Sequence, residues 1–330
     1  MGLTVAVTGP TGEIGMSAVA ALEQHPEVDR IVGMARRPFD PAAHGWTRTE
    51  YRQGDILDRA SVDDLVADAD VVVHLAYLIL GSRTESRRVN LTGTRNVFEA
   101  TVAAERANRL VYTSSVAAYG YHADNPVPLT EDVPTRGSDE HYYSAQKAEC
   151  EQVLHEVTDG TDLDVYVLRP CIVAGPKAPA LADNMPWRTI RESLPSPLAS
   201  AVGLLQGVLP LAPNPGVPLQ LVHHDDVAAA IALAAVGAGV PGAYNLAGEG
   251  EITLGDVARA TGTRSVRVPQ ATVRAASAAI ARLPLMPAMA EWVHIGRTSV
   301  VMDTFRARSL LGWEPKYTSQ QTLRELERSL

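Results

Sequence analysis

In the stretch HYYSAQKAE, Tyr143 and Lys147 stand four positions apart, which on a helix puts them on one face, one turn from each other. An ammonium beside a phenol favours the phenolate and draws its pKa down from about 10 toward the working range, so such a tyrosine can give or take a proton. The same spacing also occurs on ordinary solvated helix faces. Upstream, RLVYTSSVAAYG ends an apolar, strand-length run in two hydroxyls, Ser114 and Ser115, at the carboxyl edge where parallel sheets bind ligands. Near the start of the chain, VTGPTGEIGM carries Gly9, Gly12 and Gly15 between an apolar run and a helical one. Glycines so placed let the backbone turn tightly and approach a pyrophosphate, which then sits on the helix's N-terminal amides and positive dipole end. The pattern is G-x-x-G-x-x-G, wider than the standard dinucleotide fingerprint G-x-G-x-x-G. A turn with close strand-helix packing is the plain alternative.

Apolar runs of strand length alternate with segments of helical periodicity around these residues: LTVAVTG, EIGMSAVAALEQH, RIVGMA, SVDDLVADA, DVVVHLA, a helical segment from about Glu85 to Asn108, RLVYTSS, YYSAQKAECEQVLHEV and LDVYVLRP. Continuous apolar strands separated by helices predict parallel strands covered on both faces, a doubly wound α/β sheet. After Pro170 the pattern loosens, and 178–218 is rich in Pro, Ala and Leu. The expected organisation is a dinucleotide-binding domain over 1–170 and a smaller substrate-binding α/β region over 171–330, with about 219–236 returning to the first domain.

With 330 residues, 46% hydrophobic and 20% charged, the chain has the balance of a soluble globular protein. Its net charge of -9 argues against a general nucleic-acid binder, which needs a basic face. Cys150 and Cys171 are the only cysteines, too few for a disulfide framework and without metal-ligand spacing, so a cytoplasmic location is expected. No secretory signal is evident at the start. The longest uncharged stretch, from Leu194, is broken by prolines, so no membrane span is expected.

Taken in order, the glycine motif, GDILD at 54–58, HLA at 74–76, VNLTGTRNVFEA, YTSSVAAYG, Tyr143 with Lys147, LRPCIVAGP, VHHDDVAAAIALA, YNLAG and LLGWEPKYT resemble the extended branch of the short-chain dehydrogenase/reductase superfamily, which includes nucleotide-sugar epimerases and dehydratases. The resemblance covers nearly the whole chain and implies a Rossmann-type domain. It implies that Gly9, Thr11, Gly12, Glu13, Ile14 and Gly15 hold a pyrophosphate, that Asp55 and Ile56 meet the adenine, and that Leu75 and Ala76 line the ribose path. Asn90, Pro170 and Ile172 are expected near the cofactor. Ser115 would bond the reacting oxygen, with Ser114 its rival. Tyr143 would transfer the proton, and Lys147 would tune it and bind the nicotinamide ribose. Leu78, Ser115, Tyr119 and Cys171 are the expected substrate contacts, and a homodimer through the helices near 85–108 and 141–158 is a further implication.

An acidic residue about twenty positions after the glycine loop pairs with the ribose hydroxyls of NAD, whereas arginine accommodates the phosphate of NADP. Here Ala35 is followed by Arg36 and Arg37, which favours NADP(H) over NAD(H). Dehydratases of the family carry Asp-Glu after the catalytic hydroxyl, where this chain has Val116 and Ala117. Epimerases carry asparagine where it has Cys171 and Ile172. The expected activity is therefore NADPH-dependent reduction of a ketone or aldehyde on a medium-sized, partly apolar substrate. A nucleotide-sugar 4-epimerase retaining NAD and a non-catalytic dinucleotide sensor are the alternatives. His74 reads as a structural residue. His223, His224, Asp225 and Asp226 are not expected to bind metal, since adjacent strand residues point to opposite faces. Arg188, Arg191 and Arg297 fit either an anionic substrate or surface ion pairs.

Overall fold

A computed structural model of the chain describes residues 2–79, 82–185, 211–269 and 298–330. Arg188, Arg191, Arg297 and much of the Pro- and Leu-rich stretch lie outside them. Strands β1 (Leu3–Thr8), β2 (Val28–Ala35), β3 (Thr49–Gln53), β4 (Val71–His74), β5 (Arg109–Thr113) and β6 (Asp164–Pro170) form most of a seven-stranded sheet. Short strands β7 (Ile172–Ala174), β8 (Leu211–Asn214) and β9 (Leu221–His223) follow, and β10 (Gly242–Leu246) returns to complete the sheet. Its order is β10-β6-β5-β4-β1-β2-β3, and every neighbouring pair is parallel. The edge strand β3 escapes the sequence pattern because TEYRQ is polar and only partly buried.

Side chains alternate across this sheet, so its inner strands feed two cores. Val5 and Val7 pack with Ala18, Val19 and Leu22 of helix α1 (Glu13–Glu23). Ala6 instead faces a second core built from Val62 and Leu65 of α2 (Arg59–Val66), and from Val97 and Phe98 farther along. The segment expected as one helix near 85–108 divides into α3 (Arg83–Arg87), a wider π-helical turn over Arg88–Gly93, and α4 (Thr94–Ala103). Cys150 and Leu154 of α5 (Tyr142–Thr158) close that second layer.

The C-terminal half is stitched back onto the sheet. After the four-residue helix α6 (Ala180–Asp183), helix α7 (His224–Ala235) packs beside α1 and contributes Val227, Ala230 and Ile231 to the first core. Asp226, in the first turn of α7, accepts hydrogen bonds from the backbone amides of Lys316 (2.9 Å) and Tyr317 (3.1 Å). The buried Trp313 indole donates to the Asp226 carbonyl at 2.8 Å. This pins LGWEPKYT to α7. Strand β11 (Arg264–Arg267) pairs with β8, β7 pairs with β9, and Leu221, Ile252, Leu323 and Leu326 form a third, smaller core.

The strand order reverses between β1 and β4, the position where doubly wound sheets open a crevice beyond their carboxyl ends. The glycine loop follows β1 there. Gly9 has φ +73°, and a Cβ on it would lie 2.8 Å from the Ala76 nitrogen. A Cβ on Gly15 would lie 2.1 Å from the Gly9 carbonyl oxygen. Both positions therefore require glycine if the loop is to lie against β4 and α1.

Candidate active site

The loop geometry fits a pyrophosphate. Gly12 caps α1 without any side-chain cap bond, and Thr11 and Gly12 are exposed, so the first-turn amides of α1 are uncovered at the crevice. Glu13 does not turn its carboxylate to this loop. It accepts a hydrogen bond from the Ala180 amide at 3.0 Å, and burial holds its pKa above the usual carboxylate value. Of Glu13, only the backbone is left to face the loop; Ile14 is half-buried against the first core.

At the adenosine end, Arg36 and Arg37 are exposed and form no ion pair among the described residues. Their backbone is held from β3: Tyr51 Oη reaches the carbonyls of Ala35 (2.8 Å) and Arg37, and Gln53 Nε2 donates to the Arg36 carbonyl at 2.9 Å. The Asp55 carboxylate accepts the Leu57 amide at 3.0 Å. Ile56 is buried in the second core beneath Gly93, so its side chain packs the fold rather than facing a ligand.

Leu75 and Ala76 follow β4, with their amides 3.3 Å from Thr8 Oγ1. Asn90 sits in the π-helical turn with its amide already committed. It accepts from the Leu78 nitrogen (2.8 Å) and donates to the Leu78 carbonyl (3.0 Å) and Gln146 Oε1 (2.8 Å). The residue expected beside the cofactor is thus a brace that ties the loop after β4 to α5. Leu78 is partly buried against the second core.

Helix α5 carries the titratable pair. Lys147 is 3% exposed, donates to the Thr113 carbonyl at 2.9 Å, and is lowered by burial to a pKa of about 8. Tyr143 lies in the first turn of α5, where the capping His141 accepts the Ser144 amide at 3.2 Å. Ser144 Oγ in turn donates to the Ala117 carbonyl at 2.6 Å, which fastens the start of α5 to the short turn Val116–Tyr119. That turn is capped by Ser115, whose Oγ accepts the Ala117 amide at 3.2 Å. The rival hydroxyl points elsewhere, since Ser114 Oγ donates to the buried Glu151 carboxylate at 2.5 Å.

Two expected substrate contacts turn out to be core residues. Tyr119 is fully buried, donates to Asn245 Oδ1 (2.7 Å) and accepts from Arg169 (2.8 Å). The polar partners for its hydroxyl come from distant strands, which the local sequence does not reveal. Cys171 is buried in the first core, and burial pushes its thiol far above the usual range, so it packs as a small apolar side chain. Pro170 is buried at the end of β6, and Ile172 is half-buried against the third core.

His223 and His224 do not point to opposite faces. The chain passes from β9 into α7 between them, so their rings lie 4.1 Å apart, and with Asp225 they group possible ligand atoms within 4.8 Å of one another. The two Nδ1 atoms have partners: His223 Nδ1 accepts the Asp225 amide (3.2 Å), and His224 Nδ1 lies 2.9 Å from Ser17 Oγ and 3.0 Å from Asp225 Oδ1, whereas His224 Nε2 is buried without a hydrogen-bond partner among the described residues.

His74 bridges Thr8 Oγ1 (2.7 Å) and Thr94 Oγ1 (3.0 Å), and burial lowers its pKa to about 3; His223 is lowered to about 4, also by burial. Both stay neutral when folded but take protons near pH 6.5 when unfolded. Their contribution to stability is therefore present above pH 6.5 and is lost as pH falls toward 4 and 3. Urea titrations at pH 7.5 and pH 5 should show a lower midpoint at pH 5, with His74 alone accounting for about 2 kcal/mol.

A family model for the NAD dependent epimerase/dehydratase family matches residues 5–247. The chain belongs to that family. It is an enzyme of the extended short-chain dehydrogenase/reductase type, dependent on a nicotinamide dinucleotide. An uncharacterized protein of Mycobacterium tuberculosis, Rv0501, is 26% identical over 96% of the chain and 81% of its own length. Sterol demethylase protein B of Methylococcus capsulatus is 32% identical over 53% of the chain and 52% of its own length. Among solved structures, MoeE5 in complex with UDP-glucose and NAD superposes with a TM-score of 0.71 at 22% identity, over 99% of this chain and 98% of that one. At that identity the likeness is one of fold. Among the described residues no helix is long and apolar enough to cross a membrane.

Proposed function

We propose that this family member reduces a ketone or aldehyde on a medium-sized, partly apolar small molecule with NADPH, and can run the reverse alcohol oxidation. The observation that carries this reading is the arrangement of Ser115 and Tyr143 on two elements bonded to each other, with Lys147 one turn along α5 and Ser114 withdrawn to Glu151. When bound, the nicotinamide supplies the hydride. Tyr143 then protonates the developing alkoxide, Ser115 donates a hydrogen bond to the same oxygen as its charge grows, and Lys147 provides the positive charge behind Tyr143. Val116 and Ala117 provide neither acid nor base for eliminating water. Ile172 offers no amide to a sugar diphosphate. The partial likeness to a protein named for a sterol agrees with an apolar substrate.

The preference for NADPH rests on Arg36 and Arg37, which directly follow β2, without a carboxylate where a ribose-binding acid would stand. Fluorescence titration should give tighter binding of NADPH than NADH. Arg36→Ala or Arg37→Ala should weaken NADPH about tenfold while leaving NADH unchanged, the cost of one charge-assisted bond to phosphate. Equal affinities in the unmodified protein would overturn the preference.

The family description and the UDP-glucose complex of MoeE5 support a second reading, a nucleotide-sugar 4-epimerase. Denaturing the purified protein and identifying released nucleotide separates the two. Tightly retained NAD favours the epimerase, and exchangeable NADPH favours the reductase.

A further inference from the structure

Tyr77 follows HLA in the loop after β4 and touches both members of the titratable pair. Its ring face lies 3.8 Å from Lys147 Nζ, and its ring meets that of Tyr143 edge to face at 5.5 Å and 81°. The first is the spacing of a direct cation-π contact, strongest where water is excluded. Its loop is fixed on both sides: Thr8 holds the amides of Leu75 and Ala76, and Asn90 holds both backbone groups of Leu78. The Tyr77 hydroxyl is buried without a hydrogen-bond partner among the described residues. Burial pushes that phenol well above its usual pKa, with Cys150, Tyr143 and Tyr142 adding to the rise and the nearby Asn90 side chain, too poorly placed for a hydrogen bond, opposing it, so Tyr77 stays neutral and acts through its ring.

Other groups bear on Lys147 from each element around it. From β5 come the Thr113 carbonyl and the Tyr112 ring, the latter 5.2 Å away; from α5 come Cys150 and Glu151; from β4 comes His74. His74 is neutral, burial raises the Cys150 thiol, and the Glu151 carboxylate is already shared by Arg169 and Ser114. Of the two aromatic rings that face the ammonium, that of Tyr77 is the nearer, 3.8 Å against 5.2 Å for Tyr112. We propose that Tyr77 is a positioning residue of the proton-transfer site, its ring face keeping the Lys147 ammonium charged and fixed beside Tyr143. The proposal rests on the roles given above to Tyr143 and Lys147.

The test compares replacements that keep or remove the π face while retaining apolar cover. NADPH, or NADH if it binds more tightly, is titrated by fluorescence from pH 7 to 10 against the unmodified protein and the Tyr77→Phe, Tyr77→Leu and Lys147→Met variants. The unmodified protein should lose affinity through an alkaline midpoint near the Lys147 value of about 8, and Lys147→Met should lack that midpoint. Tyr77→Phe should match the unmodified protein in midpoint and equal or exceed it in melting temperature, because the lost hydroxyl had no partner. Tyr77→Leu should lower the midpoint by about one pH unit, the size of a desolvated cation-π contact. Tyr77→Met serves the same purpose if the leucine variant does not fold. An unchanged midpoint in the aliphatic variant, with the midpoint absent in Lys147→Met, overturns the role of Tyr77 alone. A midpoint that persists in Lys147→Met overturns the role of Lys147, and that of Tyr77 with it.

Discussion

Tyr143→Phe should lower the rate of carbonyl reduction by at least about two powers of ten and leave NADPH affinity within about threefold. The expected loss corresponds to about 2.7 kcal/mol of transition-state stabilisation. Phenylalanine keeps the ring that packs edge to face with Tyr77 and lies 6.2 Å from the His141 ring. It also leaves the bonds fastening the start of α5, from the Ser144 amide to His141 and from Ser144 Oγ to Ala117. What the substitution takes away is the hydroxyl that carries the transferable proton. The carbonyl compound for the assay comes from a screen of ketones and aldehydes with the unmodified enzyme, and single-turnover rates at several pH values supply the comparison. Its neighbour Tyr142 provides the control, since its hydroxyl donates to the Ile79 carbonyl at 2.8 Å and Tyr142→Phe should stay within a few-fold of the unmodified rate. A loss confined to Tyr142→Phe would exchange the two roles.

The parallel sheet was legible in the sequence because its strands are buried on both faces and read as continuous apolar runs. The polar edge strand β3 was not, since only part of each residue is covered. Tyr143 and Lys147 announced themselves by a one-turn spacing, and the glycines by their place after β1. Tyr77 gave no such signal. In AYLILG it reads as one more apolar loop residue, and only the fold brings it from the end of β4 to the middle of α5. Choosing between Ser114 and Ser115 likewise needed a long-range partner, Glu151, 37 positions from Ser114. The opposite-face argument for His223 and His224 failed because strand geometry ends at His223 and helix geometry begins at His224. Tyr119 and Cys171 were misplaced for a related reason: a residue beside a catalytic motif in sequence can point into the core behind it.

Arg169→Met should destabilise the fold by about 3–5 kcal/mol, whereas Arg169→Met with Glu151→Leu should recover most of that loss. Arg169 and Glu151 have side-chain exposures of 7% and 1%, so water cannot replace either partner. The guanidinium grips the carboxylate with two bonds, Nε to Oε1 at 3.0 Å and Nη2 to Oε2 at 2.6 Å. Its remaining nitrogen donates to Tyr119, which leads through Asn245 to the Leu129 carbonyl. Ser114 completes the Glu151 shell. The single replacement strands a buried carboxylate, which must either stay charged without its partner or take up a proton. Guanidinium unfolding of the single and double variants at pH 7.5 reads the difference. A double variant no more stable than the single one would mean that the network stabilises through Tyr119 and Asn245 rather than through the charge pair. The same measurement bears on the active site, because Ser114 and Ser115 are adjacent: in the double variant Ser114 loses its acceptor, and any accompanying change in carbonyl reduction would show that committing Ser114 to Glu151 is part of what leaves Ser115 as the working hydroxyl.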